Sequence, residues 1–271
     1  MLEQYPTSLP ALHKAWIDHA MVRLSADERV VGVAAAGSYV DDALDAFSDL
    51  DLVVAIEPSA QREVLEQRPG IAARLGPLLA CFTGEHVGEP RLLICLYGPP
   101  LLHVDLKFVA LDDAAARVDE PVVLWERSGR LTAALAKNAS HYPMHSSQWI
   151  EDRFWIWVHY AATKIGRGEL FEALDFLSFL RGTVLGPLGL RELGLRPTGV
   201  RKLEMQAPAL AQELKSTVAQ HEPASLVRAV YASVAIYWRL RGAQGGDTAW
   251  CSRAEAAAMN YLGEIRDGIA G

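Results

Sequence analysis

The sequence predicts an α+β fold, in which a small β-sheet flanked by helices is followed by an all-α helical bundle. Runs of β-branched and apolar residues separated by turn residues recur between residues 30 and 109. From about Arg127 onward, apolar residues recur only at helical spacing. A chain of 271 residues, 51% of them hydrophobic, can form two modest domains with a core in each. We expect a first domain at residues 1–130 and a helical domain at residues 131–271.

The elements of the first half follow from local patterns. An amphipathic helix is predicted over residues 9–24, and a buried strand of small and β-branched residues over 30–36. A second strand is predicted over residues 49–56 and a helix, broken at Pro69-Gly70, over 59–75. Turns rich in Gly and Pro separate three further predicted strands, at residues 78–83, 91–97 and 102–109. In the second half, helical periodicity predicts long helices at residues 149–166, 170–181, 223–240 and 248–265.

Composition limits the class of protein. The net charge is −7, from 26 basic and 33 acidic residues, and no run of Lys or Arg suggests a nucleic-acid partner. No apolar stretch approaches the roughly 20 residues that cross a bilayer, and residues 1–6 do not resemble a signal peptide. The three cysteines are scattered, without metal-ligand spacing. We therefore expect a cytoplasmic protein without a membrane partner, either a monomer or a homodimer.

Two aspartates begin the second predicted strand. Because side chains alternate along a strand, Asp49 and Asp51 point to one face while Leu50 and Leu52 point to the other. Two carboxylates on one face repel each other unless a positive charge lies close by, and Mg²⁺ prefers oxygen ligands. A solvated turn is the alternative for this pair taken alone, because Asp is common at turns.

Two further features accompany the pair. Gly37-Ser38 follows the first buried strand at a point where a helix could start, so that the backbone could approach a phosphate closely. In the strand at residues 102–109, Asp105 lies on the polar face with His103 and Lys107. The alternative for Asp105 is a surface ion pair with Lys107, worth about 0 to 1 kcal/mol.

These three elements resemble the signature of the polymerase-β-like nucleotidyltransferase superfamily, over residues 30–110. The residues that carry the resemblance are Gly37-Ser38, Ser48-Asp49-Leu50-Asp51 and Asp105. The resemblance implies a small mixed sheet, with the Gly-Ser pair opening a helix between the first two strands. It also implies nucleotide binding by the glycine and the two serines, metal binding by the first two aspartates, and metal binding or proton acceptance by the third.

The connection between the glycine and the aspartate pair departs from many relatives, which have a basic residue there. In this chain it contains Asp41, Asp42 and Asp45 instead. We interpret Asp41 and Asp42 as acids in the first turn of a helix, where they favour the helix dipole. Attraction of a cationic acceptor is the alternative. The cations that neutralise a triphosphate must then lie elsewhere in the chain.

A second, looser resemblance covers residues 146–185. Tyr160, Lys164 and Arg167 follow one stripe of a predicted helix, and a tight turn leads to Glu169 and then to Asp175. The stretch resembles the helical domain of the aminoglycoside adenylyltransferases and lincosamide nucleotidyltransferases. The residues that carry this resemblance are Glu151, Phe154-Trp155, Lys164, Arg167-Gly168-Glu169 and Ala173. By that resemblance the stripe contacts the nucleotide, with the lysine on its phosphates, and the two acids contact the acceptor. Ordinary compensation of the helix dipole is the alternative for the lysine, and each acid could instead be a first-turn acid or a solvated helix residue.

Taken together, the resemblance implies an enzyme that depends on Mg²⁺, with two ions expected, and that transfers AMP from ATP to a hydroxyl of a small molecule. Pyrophosphate is the leaving group. An aminoglycoside-type antibiotic is the expected acceptor, and resistance the expected role. Two alternatives remain open from the sequence: adenylylation of a protein partner, and a nucleotide-binding protein without catalytic activity.

Overall fold

The computed structural model describes residues 5–242 and 248–270. The chain forms two compact units, residues 1–142 and residues 143–271. The first contains a mixed sheet with flanking helices and the second is helical, so the predicted fold class is confirmed. Residues 1–4, on which the expectation about a signal peptide partly rests, lie outside the described residues.

The first unit has six strands in the order β3-β4-β5-β2-β1-β6. Strands β2 and β5 are parallel, and the other neighbouring pairs are antiparallel. In chain order the elements are α1 (Ala11–Ala26), β1 (Val30–Ala35), β2 (Leu50–Ile56), α2 (Gln61–Ala73), β3 (Leu78–Gly84), β4 (Glu89–Tyr97), β5 (Leu102–Ala110), β6 (Val122–Glu126) and α3 (Arg130–Leu135). Short 3₁₀ turns occur at Gly37–Tyr39, Pro58–Ala60, Glu85–Val87 and Leu111–Asp113.

The two faces of this sheet have different surroundings. One face packs on α1 and α2 and forms the larger core, with Leu52 of β2 and Val104 of β5 buried in it. The other face packs on α3 at one end, where Ala55 and Leu131 share a smaller core. Because side chains alternate along a strand, this second face also carries Asp51 of β2 and the polar residues of β5, namely His103, Asp105 and Lys107.

Two local features differ from the sequence-based expectation. Strand β6 was not predicted, because five residues of which only Leu124 is fully buried give a weak periodic signal. Helix α2 continues through Pro69, where a break was expected. A proline inside a helix costs about 3 kcal/mol. Here buried residues on both sides of it, Val64 and Ile71, hold the helix against the sheet and offset that cost.

The second unit is a helical bundle. Its helices are α4 (Ser147–Gly166), α5 (Leu170–Leu180), α6 (Gly186–Glu192), α7 (Leu203–Gln206), α8 (Pro208–Leu214), α9 (Pro223–Gly242) and α10 (Ser252–Ala270), with a 3₁₀ turn at Lys215–Thr217. Helix α4 begins where the Ser146 side chain accepts a hydrogen bond from the Trp149 amide, 3.1 Å away. Large apolar side chains such as Phe154 and Leu180 form the core.

A π-helical turn, Arg181–Leu185, joins α5 to α6, so that residues 170–192 form one continuous helical segment. This segment is long and apolar enough to pass a length-and-composition test for a membrane span, contrary to the expectation that no stretch approaches that length. However, 56% of the tested window is buried inside the protein, and Leu177, Leu180 and Val184 belong to the core of the bundle. The segment is one of the helices that form the core of this unit.

A buried carboxylate links α4 to α9 and to the start of α10. Glu151 is 0% exposed, and it accepts hydrogen bonds from the Trp155 indole at 2.9 Å, the Tyr237 hydroxyl at 2.6 Å and the Cys251 amide at 2.9 Å. The Arg241 guanidinium lies 3.5 Å away. Burial raises the pKa of Glu151, but these hydrogen bonds outweigh burial and hold its pKa below the usual value.

Candidate functional site

The turn that follows β1 lies against the carboxylate of Asp51. Gly37 has a φ of +60°, and a Cβ at this position would lie 2.1 Å from Asp51 Oδ2. The Ala36 amide donates a hydrogen bond to the Asp51 carbonyl oxygen at 2.9 Å, which fixes the turn on β2. Ser38, the second residue of this turn, is buried, with 8% of its surface exposed. Only glycine fits this backbone, because any side chain would both strain the conformation and displace the carboxylate.

The helix expected after Gly37-Ser38 is absent. A three-residue 3₁₀ turn takes its place, and a loop then leads to β2. Asp42, at a φ of +48°, accepts hydrogen bonds from the Thr7 hydroxyl and the Ser8 amide, both at 2.8 Å. These bonds, that of the Ser8 amide first, lower the pKa of Asp42 to about 2. The interpretation of Asp42 as a first-turn acid is therefore wrong, because its side chain holds the N-terminal segment instead.

The end of the loop is also held in place. Ser48 Oγ lies 3.0 Å from Asp45 Oδ1 and accepts a hydrogen bond from the Asp45 amide at 2.9 Å. His13 of α1, which is 2% exposed, contacts the Ser48 carbonyl oxygen through Nε2 at 2.7 Å. Asp49 follows directly, half-buried, just before β2 begins. These bonds fix the end of the loop, and therefore the position from which Asp49 and β2 continue.

Asp51 and Asp105 are direct partners in the parallel pairing of β2 with β5. Because residues in register on parallel strands share a face, both carboxylates lie on the second face of the sheet. Helix α3 packs on the opposite end of this face. The alternative partner for Asp105, Lys107, bonds to Glu89 of β4 at 2.8 Å. Lys107 therefore pairs with Glu89 on the neighbouring strand β4, and not with Asp105 as the alternative interpretation expected.

The predicted metal ligands are only partly assembled. Among residues 5–242 and 248–270, no three His, Cys, Asp or Glu side chains form a group that could hold a metal ion. Asp49, Asp51 and Asp105 therefore do not form a closed three-carboxylate cage. Magnesium in nucleotide sites, however, is usually bound through one or two carboxylates, with waters and substrate phosphates as its other ligands. The in-register pair, Asp51 and Asp105, has the oxygen donors that such an ion prefers.

Sequence reasoning missed one neighbour of this pair. His103 Nε2 lies 2.9 Å from Asp105 Oδ1, on the same face of β5. The signal was present in the sequence, because residues two apart on a strand are neighbours on one face. The alternating pattern of β5 includes His103 but does not by itself indicate the bond to Asp105.

The predicted residues of the helical unit form a cluster where α4 ends and α5 begins. Lys164 Nζ lies 2.6 Å from Glu169 Oε2 and 3.1 Å from Glu172 Oε1, and its side chain is 15% exposed. The same ammonium lies over the Tyr160 ring, 5.1 Å from its centre, and the Tyr160 hydroxyl bonds to Glu172. The hydrogen bonds to the two glutamates, Glu169 first, raise the pKa of Lys164 above its usual value. Lys164 is therefore a fully charged cation whose charge is shared between two acids.

The remaining predicted residues of this unit are more exposed. Arg167, with a side chain 66% exposed, lies 3.6 Å from Glu169. Asp175 is exposed further along α5. Glu172 was not predicted, although it is a first-turn acid of α5, and the tight turn after α4 brings that first turn beside Lys164. The helical hairpin therefore assembles a lysine, a tyrosine and two glutamates.

No protein-family model matches the sequence, and no curated protein matches it. Among solved structures, the fold is similar to that of an aminoglycoside 6-adenyltransferase from Bacillus subtilis, with a TM-score of 0.39 and 14% identity over 92% of this chain and 96% of that one. It is also similar to a nucleotidyltransferase-like protein from Exiguobacterium sibiricum, with a TM-score of 0.33 and 14% identity over 94% of this chain and 78% of that one. The likeness in each case is one of fold.

Proposed function

We propose that the protein is a nucleotidyltransferase that transfers AMP from ATP to a hydroxyl of a small molecule, with an aminoglycoside-type antibiotic as the acceptor. One observation carries the proposal. Asp51 and Asp105 are in register on adjacent parallel strands, and the glycine turn at Gly37 lies against Asp51. Gly37, Asp51 and Asp105 belong to the three parts of the signature, and their proximity at one end of one sheet face supports the proposal.

Because Gly37 has no side chain, the Asp51 carboxylate can lie directly against the backbone of the turn, 2.1 Å from where a Cβ would be. In our proposal, the backbone of this turn contacts the nucleotide beside the metal-binding carboxylate. Ser38 and Ser48 flank the turn and the aspartate pair, and in our proposal they contribute to nucleotide binding. The hydrogen bonds of Asp45 and His13 to Ser48 fix the loop before the substrate arrives, so that less ordering is needed on binding.

Asp49, Asp51 and Asp105 would hold Mg²⁺, with two ions expected when substrate phosphates complete the ligand sets. When bound, the ions would offset negative charge on the triphosphate and on the leaving pyrophosphate. Asp105 would accept the proton of the acceptor hydroxyl. The hydroxyl oxygen then forms a bond to the α-phosphorus as the bond from that phosphorus to the pyrophosphate oxygen breaks.

In our proposal, the cluster at the α4–α5 turn serves substrate binding. Lys164, with Tyr160 and Arg167, would contact the nucleotide. Glu169 and Asp175 would contact a cationic acceptor. Because Lys164 is bonded to two glutamates, a phosphate would have to compete with them for its charge. Lys164 keeps its positive charge beside the two glutamates, and in our proposal that charge is what it offers to a phosphate.

The experiment measures pyrophosphate release from ATP and Mg²⁺ with a panel of aminoglycosides and lincosamides. We expect turnover with at least one acceptor for the wild-type protein. Asp51→Asn should reduce the rate at least 100-fold, because the substitution removes a charged oxygen ligand while keeping the shape of the side chain. Asp112→Asn, the same substitution at an exposed position in the 3₁₀ turn after β5, is the matched control and should retain full activity. Wild-type turnover by Asp51→Asn would refute the proposal, whereas nucleotide binding without turnover would indicate a binding protein.

A further inference from the structure

The imidazole of His103 bonds to one of the three predicted catalytic carboxylates. His103 Nε2 and Asp105 Oδ1 are 2.9 Å apart, and the two side chains are neighbours on the second face of the sheet. The histidine side chain is 50% exposed and the aspartate 20% exposed. The bond therefore lies at the solvent boundary of the site, with the carboxylate on its more enclosed side.

The register of β2 and β5 places this pair beside Asp51. The pairing starts at Leu50 and Val104 and sets Asp51 opposite Asp105. Along β5, His103 is the neighbour of Asp105 on this face, so it places a nitrogen donor beside the two paired acids. Lys107, next along this face, bonds to Glu89 instead.

A surface contact of this kind adds little to folding stability, about 0 to 1 kcal/mol. Its effect on the orientation of a carboxylate can be much larger. A hydrogen bond to one oxygen restricts rotation of the carboxyl group and fixes the direction of the other. Partners of this kind, which hold a ligating group in place, typically change metal affinity or activity 10- to 100-fold when they are removed.

We propose that His103 is a positioning residue for Asp105: by bonding to Oδ1, it fixes the carboxylate in the orientation in which Asp105 binds the metal and receives the proton of the acceptor hydroxyl. This inference rests on the proposed function. It assigns His103 no contact with the substrate and no role as a proton carrier.

The test compares His103→Ala and His103→Gln. Glutamine keeps an N–H donor of similar reach, whereas alanine removes it. We expect His103→Ala to lower kcat about tenfold with the KM for ATP within twofold of wild type, and His103→Gln to recover most of the loss. Binding of Mn²⁺ to the protein without acceptor, measured by electron paramagnetic resonance, provides a readout that needs no turnover. It should weaken about tenfold in His103→Ala and much less in His103→Gln.

His19→Ala, which removes an exposed histidine of α1, is the matched control and should equal wild type in both readouts. If His103→Ala has wild-type kcat and Mn²⁺ affinity while Asp51→Asn is inactive, the inference is wrong and the proposed function stands. If Asp51→Asn is also active, the proposed function fails and the inference fails with it. If His103→Gln is as impaired as His103→Ala, donation to Asp105 is not what matters, and the positioning role is refuted.

Discussion

At the scale of single residues, the position of Gly37 shows how closely one side chain depends on a backbone elsewhere in the chain. The Asp51 carboxylate occupies the space that a Cβ at Gly37 would fill. The glycine is therefore required twice, once for its left-handed conformation and once for the close approach. The second requirement concerns the candidate site, and only the structure reveals it.

Gly37→Ala should reduce both stability and activity. A left-handed conformation costs a residue with a Cβ about 1 kcal/mol, and the clash with Asp51 adds to that cost. Gly88→Ala is the matched control, because Gly88 has a φ of +74° but a Cβ there would meet nothing within 4 Å. Urea unfolding should show a loss of about 1 kcal/mol for Gly88→Ala and a clearly larger loss for Gly37→Ala. Equal losses would mean that the Asp51 contact is unimportant.

The sequence predicts which residues lie at the candidate site better than it predicts which side chains contact them. Alternation along each strand predicts the sheet face on which Asp51 and Asp105 lie, because the period of two is a local property of the chain. It could not give their register, since pairing depends on how two distant strands pack. Nor could it reveal that Lys164 bonds to Glu172, because that contact depends on the geometry of the turn between two helices.

At the scale of elements, the loop between β1 and β2 is held by the N-terminal segment. Asp42 accepts two hydrogen bonds from Thr7 and Ser8, and the Leu44 amide donates to Ser8 Oγ at 3.1 Å. A helix was expected here, but these three bonds hold the loop on the N-terminal segment, and the one at Leu44 satisfies a loop amide. Strong acceptors such as Asp compete with helical bonding in this way, and the sequence alone does not show which outcome prevails.

The link at Asp42 should make stability depend on pH. The pKa of Asp42 falls from 3.8 to about 2 in the folded protein. Its contribution is therefore fully present above about pH 4 and is lost as the pH falls towards 2. Asp42→Asn keeps a residue that tolerates the left-handed backbone but removes the charge. The difference in unfolding free energy between wild type and Asp42→Asn, measured in urea, should be constant from pH 7 to 5 and shrink below pH 4.

Thr7→Val removes one of the donors to Asp42 and should reproduce part of that difference. The expectation fails if Asp42→Asn follows the wild-type curve across the whole pH range. It also fails if the difference between the two proteins grows as the pH falls.

In the helical unit, the buried Glu151 joins three elements. Glu151→Ala leaves the Tyr237 hydroxyl, the Trp155 indole and the Cys251 amide without their acceptor. Removing one partner from a buried charged network typically costs about 3 to 5 kcal/mol. Glu264→Ala, which removes an exposed acid of α10, should change stability by no more than about 0.5 kcal/mol. Chemical denaturation monitored by tryptophan fluorescence would compare them, and a small loss for Glu151→Ala would contradict the expected role.

At the scale of the whole molecule, the cores of the two units are made of separate residues. The largest cluster lies entirely within residues 150–262, while the two clusters on the sheet lie within residues 16–134. The overall architecture was predictable because long helical periodicity and alternating strands are strong signals. Short elements such as β6 and the π-helical turn were not, because five residues carry too little periodicity.

Separate cores imply separate folding. Residues 1–142 and 143–271, expressed as two fragments, should each unfold cooperatively in urea, with a helical far-ultraviolet circular dichroism spectrum for the second. The intact chain, denatured alongside, provides the reference. A fragment without a cooperative transition would show that its core depends on the rest of the chain.

The register that sets Asp51 opposite Asp105 also has a consequence for robustness. Two negative groups held side by side on neighbouring strands oppose folding for as long as both are ionised. Proteins keep such local instability where activity needs it, and substitutions that relieve it tend to make a more durable but inactive molecule. In a double-mutant cycle of Asp51→Asn and Asp105→Asn, the double substitution should therefore stabilise the fold by less than the sum of the two single substitutions, as measured by thermal unfolding.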